Sequence, residues 1–406
     1  MPKLRIGTAA ALLAALGLAA CGGQNDPVAS GPCDGPGTGG PRVVFRAEPT
    51  PDEPRVTSAG IERTIDAMCK RSRELGADGA RIVRLRGNRI VVRLGPGADA
   101  AQTAVALGIP ARLAFYDWDA NVIGSPDRPL PDLLHAVRRA AGSAPRGEPS
   151  DLPPGGAEEQ TAGRLHGDQQ RIQAFYDRRN DASGASYFAA AGGRIVAGPE
   201  TSCGGLGEAL AGGHRQARAP IRTGDADAPT CTRRLAGSRL LPAGGQVLVV
   251  PRGIRVVAAA RPGGGAPPAG PAGALPEGSA GYYVLEDDAA LTADAVKSAE
   301  SIRDQATGVA SVRVHFTEDG ATAFRSLTAS IAQSGLQDPG AGSPRLAIAL
   351  DDQLVSLAAI DPQASPAGLD PAPGATLGNV GSEAQANLLA KLIGSGALPL
   401  DVRQAP

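Results

Sequence analysis

Aromatic residues are scarce: only 3% of the 406 residues are Phe, Trp or Tyr. Any core must therefore be built from Val, Leu, Ile and Ala. A surplus of positive charge is also missing, because 40 Lys and Arg stand against 41 Asp and Glu. That balance argues against nucleic acid as a partner, since phosphate binding needs an excess of Lys and Arg on one face. No stretch approaches 18 consecutive apolar residues, so no transmembrane helix is expected in the mature chain. The sequence also has no G-x-S-x-G elbow, H-E-x-x-H, P-loop or strand-bounded G-x-G-x-x-G. RIVAGPETSCGG (Arg194–Gly205) lacks the Ser and His contexts of nucleophilic catalysis. The four histidines, His135, His166, His214 and His315, are scattered, with no second His or Cys at ligand spacing. The expectation is a protein that is not an enzyme and carries no metal or cofactor.

What is abundant is Gly and Pro, 55 and 35 residues, so much of the chain must be loop or linker. At the start, Lys3 and Arg5 precede an apolar run from Ala9 to Ala20 that ends LAAC at Cys21. This is a lipoprotein signal peptide over 1–20, and Cys21 is the expected lipidation site, tethering the chain to the outer leaflet of a membrane. Residues 21–40 read as a linker. Four further cysteines, Cys33, Cys69, Cys203 and Cys231, suit two disulfides in an exported protein. Proximity favours Cys33–Cys69 and Cys203–Cys231 among three possible connectivities; a metal site is the rival, without a C-x-x-C to support it.

From Pro41 onward ordered elements emerge. RVVFRA (Arg42–Ala47) reads as a strand and Ser58–Leu75 as a helix with Ile61, Ile65, Met68, Ser72 and Leu75 on one face. RIVRLR and RIVVRL flank Gly87-Asn88, a two-residue hairpin signal, and carry a basic strip of Arg81, Arg84, Arg86, Arg89 and Arg93. Its bland reading is a solvated sheet face; the other is an acidic partner or lipid headgroups. A short Ala-rich helix and a strand at Ala111–Trp118 complete β-α-β-β-α-β, the split unit of a ferredoxin-like sandwich. The middle, 125–280, reads as a small disulfide-stapled insertion with Pro/Gly-rich linkers, helices at Asp132–Ala141 and Gly167–Arg178, and strands near Arg194, Gln246 and Ile254.

The best-formed text is SVRVHFTEDGATAFRSLTASIA (Ser311–Ala332), a strand whose Val312, Val314 and Phe316 alternate inward. It runs through an N-cap at Thr317 into a helix with Phe324, Leu327, Thr328 and Ile331 on one face. RLAIALDDQLVS (Arg345–Ser356) reads as two strands joined at Asp351-Asp352, where Asp is an ordinary turn residue. Ser382 and Gln385 form a capping box before a Leu-rich helix that Gly394 and Gly396 stop, and Ala397–Val402 reads as a last strand. Glu286-Asp287-Asp288 reads as a loop and helix start.

In series, VHFTEDGATAFRSLT, LAIALD and GALP resemble the head of the first extracytoplasmic domain of SecD, a protein-export accessory subunit. The hairpin GNRIVVRL with the preceding helix is similar to the base of the same domain. The sequence departs from the family's pattern at Asp352, at Leu357-Ala358 and at Gly378–Gly381. The resemblance implies an α+β protein, with a ferredoxin-like βαββαβ base over 41–124 and a second α+β head subdomain over 281–404, separated by the inserted region. It further implies a membrane-anchored extracytoplasmic protein that binds translocating or unfolded polypeptide and assists export, with secreted chains and export-channel or SecF-like subunits as partners. Phe316, Phe324, Leu354 and Ser356 are the candidate polypeptide-binding residues. The family's proton-linked stroke depends on transmembrane helices, so no motor of its own is expected. The alternative is an envelope lipoprotein that binds a small molecule or cell-envelope polymer.

Overall fold

The computed structural model describes residues 29–405 apart from 36–38, 51–52, 54, 78, 97–99, 144–184, 212–226, 260–280, 304–307, 339–342, 379 and 381. Cys21 and its leader, the expected Gly167–Arg178 helix, His166, His214 and nearly all of both Pro/Gly-rich linkers lie outside the described residues. Among the described residues no helix is long and apolar enough to cross a membrane.

Among the described residues four sheets carry the fold, an α+β architecture. The first contains β1 (Ala29–Asp34), β2 (Arg42–Glu48), β3 (Arg81–Leu85), β4 (Arg89–Arg93) and β17 (Asp401–Gln404), in the order β1-β3-β4-β2-β17 with every pairing antiparallel. Alternation sends Val43, Phe45, Ile82, Ile90 and Val92 to one face. There α1 (Ser58–Glu74) lays Ile61, Ile65 and Met68 on them, and α2 (Ala100–Ala106) adds Ala104. Thr57 caps α1 by accepting from Gly60 N at 3.0 Å.

Three expectations need correction in this unit. β1 falls inside the stretch read as linker, held by its ladder to β3 and by the Cys33–Cys69 disulfide to α1. Leu85 pairs with Arg89, so the hairpin loop is the three residues Arg86-Gly87-Asn88, with Gly87 at φ 73° supplying the left-handed position. The third correction concerns the fourth strand of the ferredoxin-like unit. The expected strand, β5 (Leu113–Asp117), leaves for another sheet, and its place beside β2 is taken by β17. Leu398, Leu400 and Val402 thereby enter the base core, and strand pairing begins at Asp401 rather than at Ala397.

The second sheet has the order β10-β9-β15-β14-β5-β11, from β9 (Ile254–Ala259), β10 (Gly281–Glu286), β11 (Leu291–Thr292), β14 (Arg345–Leu350) and β15 (Gln353–Ala359) with β5. The short α3 (Trp118–Asn121) follows β5, and α4 (Leu133–Gly142) packs Ala136, Val137 and Ala140 against Val256, Ala258 and Val284. The middle region therefore does not hang free between two modules, because β9 is a strand of the sheet that β5 and β14 build. Other described residues of the middle form a small sheet in the order β7-β6-β8, from β6 (Ser186–Ala191), β7 (Arg194–Glu200) and β8 (Gln246–Val250). It is covered by α5 (Cys203–Leu210) and α6 (Ala228–Gly237). The Cys203–Cys231 disulfide joins those helices inside a cluster with Tyr187, Leu206 and Leu235. Both expected cysteine pairings are present.

The last sheet has the order β12-β13-β16, from β12 (Val296–Arg303), β13 (Ala310–Phe316) and β16 (Ala375–Leu377). α7 (Glu318–Gln337) and α8 (Glu383–Ser395) cover its inner face. The largest core cluster joins Val312, Val314, Phe324, Ile331 and Leu389 to Leu113, Phe115, Leu346 and Ile348 of the six-stranded sheet. At Ser382 the capping box with Gln385 is formed as expected.

A buried polar joint ties these units together. Arg71 of α1 is fully buried. Its Nε donates to Ser395 Oγ at 3.0 Å, Nη2 to the Gly396 carbonyl at 2.8 Å, and Nη1 to the carbonyls of Leu107 (3.3 Å) and Ile109. Burial lowers its pKa to about 10, and the guanidinium stays charged at neutral pH. Nearby, the Asp351 backbone N donates to Arg112 O at 2.8 Å while Asp351 Oδ1 accepts from Arg112 N at 2.9 Å. Arg112 Nη2 lies 2.7 Å from Asp401 Oδ1, a close ion pair whose angle falls short of a hydrogen bond. The turn acids are thus structural: Asp351 is held at φ 51°, and Asp352 Oδ1 accepts from Arg255 Nε at 3.1 Å. Asp287, read as part of a helix start, instead accepts from Tyr116 Oη at 2.7 Å beside the same Arg255.

Two outcomes follow from this packing. Leu400 is completely buried in the base core although it lies some 300 residues from β4, so Leu400→Ala is expected to cost about 2–5 kcal/mol in urea unfolding and to raise hydrogen exchange in β2. Had β5 been the fourth strand, β2 exchange would not change. Burial also raises the Asp351 pKa from 3.8 to about 6, against the hydrogen bond from Arg112 N. The folded state then holds the proton more tightly than the unfolded one, so stability falls as pH rises from 3.8 to about 6. Asp351→Asn is expected to flatten that slope in denaturation measured across this range.

Candidate functional site

Sequence reasoning placed four residues at a polypeptide-binding surface, and the structure distributes them over two sheets. Phe316 ends β13 and Phe324 sits one turn into α7; their rings stack at 4.7 Å and both meet Phe115, at 5.7 and 6.3 Å. With 2% exposure Phe324 is core, and it offers nothing to a ligand. Phe316, 9% exposed, shows one edge to an open groove of about 430 Å³. Leu354 and Ser356 are half-buried on β15 of the other large sheet.

The groove is made where β12, β13 and α7 meet the loop after β15. Its walls are Lys297 and Ser298 from β12, His315 and Phe316 from β13, Ala321 and Arg325 from α7, and Asp370-Pro371-Ala372 from the loop. The β12–β13 register shifts between Val296 and Ser298, a bulge that takes Lys297 out of regular pairing at the groove's rim. Polar groups of both signs line the mouth. His315 Nε2 stands 3.3 Å from Glu300 Oε1, Arg313 Nη1 lies 3.6 Å from the same oxygen, and Arg325 Nη2 is 3.8 Å from Asp370 Oδ1. His315 is partly exposed; it lies opposite Ser298 on the neighbouring strand and reaches Glu300 diagonally.

The loop wall is strapped to α7 by a hydroxyl. Thr328 Oγ1 accepts from Leu369 N at 2.9 Å and donates to Phe324 O at 2.9 Å. Beside it Gly368, at φ 86°, comes so close to Arg325 O that a Cβ would stand 2.2 Å away. Sequence periodicity read Thr328 only as part of the apolar helical face, because its partner lies 41 residues downstream.

Two backbone edges adjoin these surfaces. β12 is an edge strand, with Lys297 and Ser298 exposed. On β15, β9 pairs only at Gln353 and Leu354, so among the described residues Ser356–Ala359 are paired on the β14 side alone, and Leu357 is 39% exposed. Such edges accept an extended chain by backbone hydrogen bonds, with alternate side chains reaching neighbouring pockets.

Thr328→Val removes the acceptor for Leu369 N while preserving shape. The expected result is a stability loss of about 1–3 kcal/mol, together with faster proteolytic cutting within 361–374 in a limited-proteolysis time course.

Comparison with known proteins bears on this region. Residues 273–400, less than a third of the chain, match the family model described as SecDF, P1 head subdomain. The protein translocase subunit SecD of Acidaminococcus fermentans is 35% identical over 85 residues, which is 21% of this chain and 20% of that protein. The match thus spans about a fifth of that relative's length. Two solved structures align over most of the chain at low similarity. One is described as a membrane component SecDF that enhances protein export, with TM-score 0.40 and 16% identity over 90% of this chain and 98% of that one. The other is SecDF in a super-membrane-facing form, with TM-score 0.41 and 15% identity over 91% and 30%. On the sequence matches, the part of the chain that builds the groove is SecD-like.

Proposed function

We propose that this chain is an extracytoplasmic SecD-like protein, held at a membrane through an acylated Cys21, that binds unfolded or translocating polypeptide and so assists protein export. The observation that carries the reading is the coincidence of the P1-head match with the groove: every wall of it falls within residues 273–400. An extended segment laid along β12 pairs its backbone with the edge. It places alternate side chains toward Phe316 and Ala321, where an apolar floor is rimmed by Lys297, Arg325 and Asp370. A rim of both charge signs beside a small apolar floor suits contact with many sequences in preference to one. Binding of this kind needs no catalytic group, and in this reading the chain acts by holding its client. Channel subunits or a SecF-like protein are the partners that the family likeness brings with it.

The test is photocrosslinking in cells exporting a labelled secreted protein. A photoreactive amino acid at exposed Ser298 or Leu357 is expected to capture the exported chain, whereas the same probe at buried Phe324 captures none. Silence at both exposed positions, with the protein present at the membrane, rules the reading out. A thermal shift with one small envelope component and no crosslinks would favour the ligand-binding alternative.

A further inference from the structure

The face of the five-stranded sheet turned away from α1 has a composition that the groove does not explain. Three arginines stand in register across it: Arg42 on β2 pairs with Arg93 on β4, and Arg93 pairs with Arg81 on β3. All three are exposed, and among the described residues none has a carboxylate partner. Like charges directly opposite one another on adjacent strands oppose sheet formation, so such a row costs stability unless an anion offsets it. The next row inward is apolar, with Val44, Val91 and Val83, the last two buried.

The opposite end of the same face is neutralised. Arg403 pairs with Glu48 at 2.9 Å and with Glu200, and Arg46 with Glu208 at 2.5 Å. Glu200 and Glu208 come from β7 and α5, so the middle region supplies acids to one end of the face and leaves the Arg42–Arg93–Arg81 end open. At that end the backbone of Asp34 on β1 is in register with Arg81. The sheet's other face is covered by α1, whose exposed residues mix Glu62 and Asp66 with Arg63 and Lys70. The charge asymmetry is therefore confined to one end of one face.

We infer that the Arg42–Arg93–Arg81 row is a contact surface for the phosphates of anionic lipid headgroups, which seats the five-stranded sheet on the bilayer. Three features select a membrane. At about 4.8 Å between strands the row is a flat line about 10 Å long, matched to a plane of repeated charges. Arginine's planar fork suits phosphate oxygens. Seven residues lie between Cys21 and the start of β1, eight steps that span at most about 28 Å of extended chain, so an acylated Cys21 keeps this sheet close to the surface. The last point rests on the anchoring proposed above; the register and the charge do not.

The experiment mixes the full-length protein with vesicles of phosphatidylcholine alone or of phosphatidylcholine with phosphatidylglycerol, and reads bound protein by co-sedimentation. Any acyl anchor or leader contributes to both vesicles, so the ratio between them isolates the charge contribution. The expected ratio favours anionic vesicles, falls with added salt, and drops roughly fivefold per arginine in Arg42→Gln/Arg81→Gln/Arg93→Gln at low salt. The corresponding triple lysine variant keeps most of it. No anionic preference in the unaltered protein, or a preference unchanged in the glutamine variant, overturns the inference. So does arginine-dependent capture of soluble polyglutamate without vesicle preference, which assigns the row to an acidic polypeptide. The mass of the Cys21 peptide is read separately, so failure of the anchor and failure of the arginine row are distinguishable.

Discussion

One buried guanidinium sets the relation among the parts. Arg71 leaves α1 in the base and ends on carbonyl oxygens after α2 and after α8, and on the Ser395 hydroxyl at the last turn of α8. These acceptors are chain ends that no regular ladder satisfies, and a buried carbonyl without a donor costs on the order of 1–3 kcal/mol. A single planar fork meets three such carbonyls and the hydroxyl. Lys70, one residue earlier, reaches Gly394 O at 3.2 Å, so two cations of α1 face the negative end of α8. The helix that carries the groove sheet is thereby docked on the helix that carries the base sheet. Arg112, Asp351 and Asp401 repeat the device for the six-stranded sheet and β17.

The sequence made local structure legible and long-range pairing illegible, for a common reason. Thr317, Ser382 and the alternation through Val312, Val314 and Phe316 act within a few residues, and each was readable from its neighbours. The departure of β5 and the arrival of β17 were not readable. Both segments present a short apolar run, and nothing within either says which sheet edge will receive it. Arg71 was hidden by the same limit. Periodicity treats a basic residue as outward, and only the remote carbonyls of Ile109 and Gly396 explain why this one turns in. Of the four candidate binding residues, Phe324 illustrates how an aromatic in a family motif can be a packing residue, since it stacks on Phe316 and supports the groove from beneath.

The groove and the arginine row divide the charges of a nearly neutral chain into separate tasks. A net charge of −1 conceals a face with a cationic row that has no carboxylate partner among the described residues, and a second end where acids from the middle region pair with Arg46 and Arg403. The middle region, whose strand β9 also widens the central sheet, thus shapes both the fold and the electrostatics. Neither role was visible from neighbouring residues alone.

The pairing of β17 with β2 closes a loop of about 350 residues, an entropic cost on the order of 5 kcal/mol that local contacts do not repay. Its consequence lies in the order of events as the chain emerges. β2, β3 and β4 can pair early, but until residues 401–404 are made β2 keeps one naked edge and Phe45 lacks the cover of Leu400 and Val402. Until then the base is an open sheet, exposed to the edge-to-edge association that open strands invite. A proposed holder of unfinished chains is itself, until β17 arrives, an unfinished chain in need of holding.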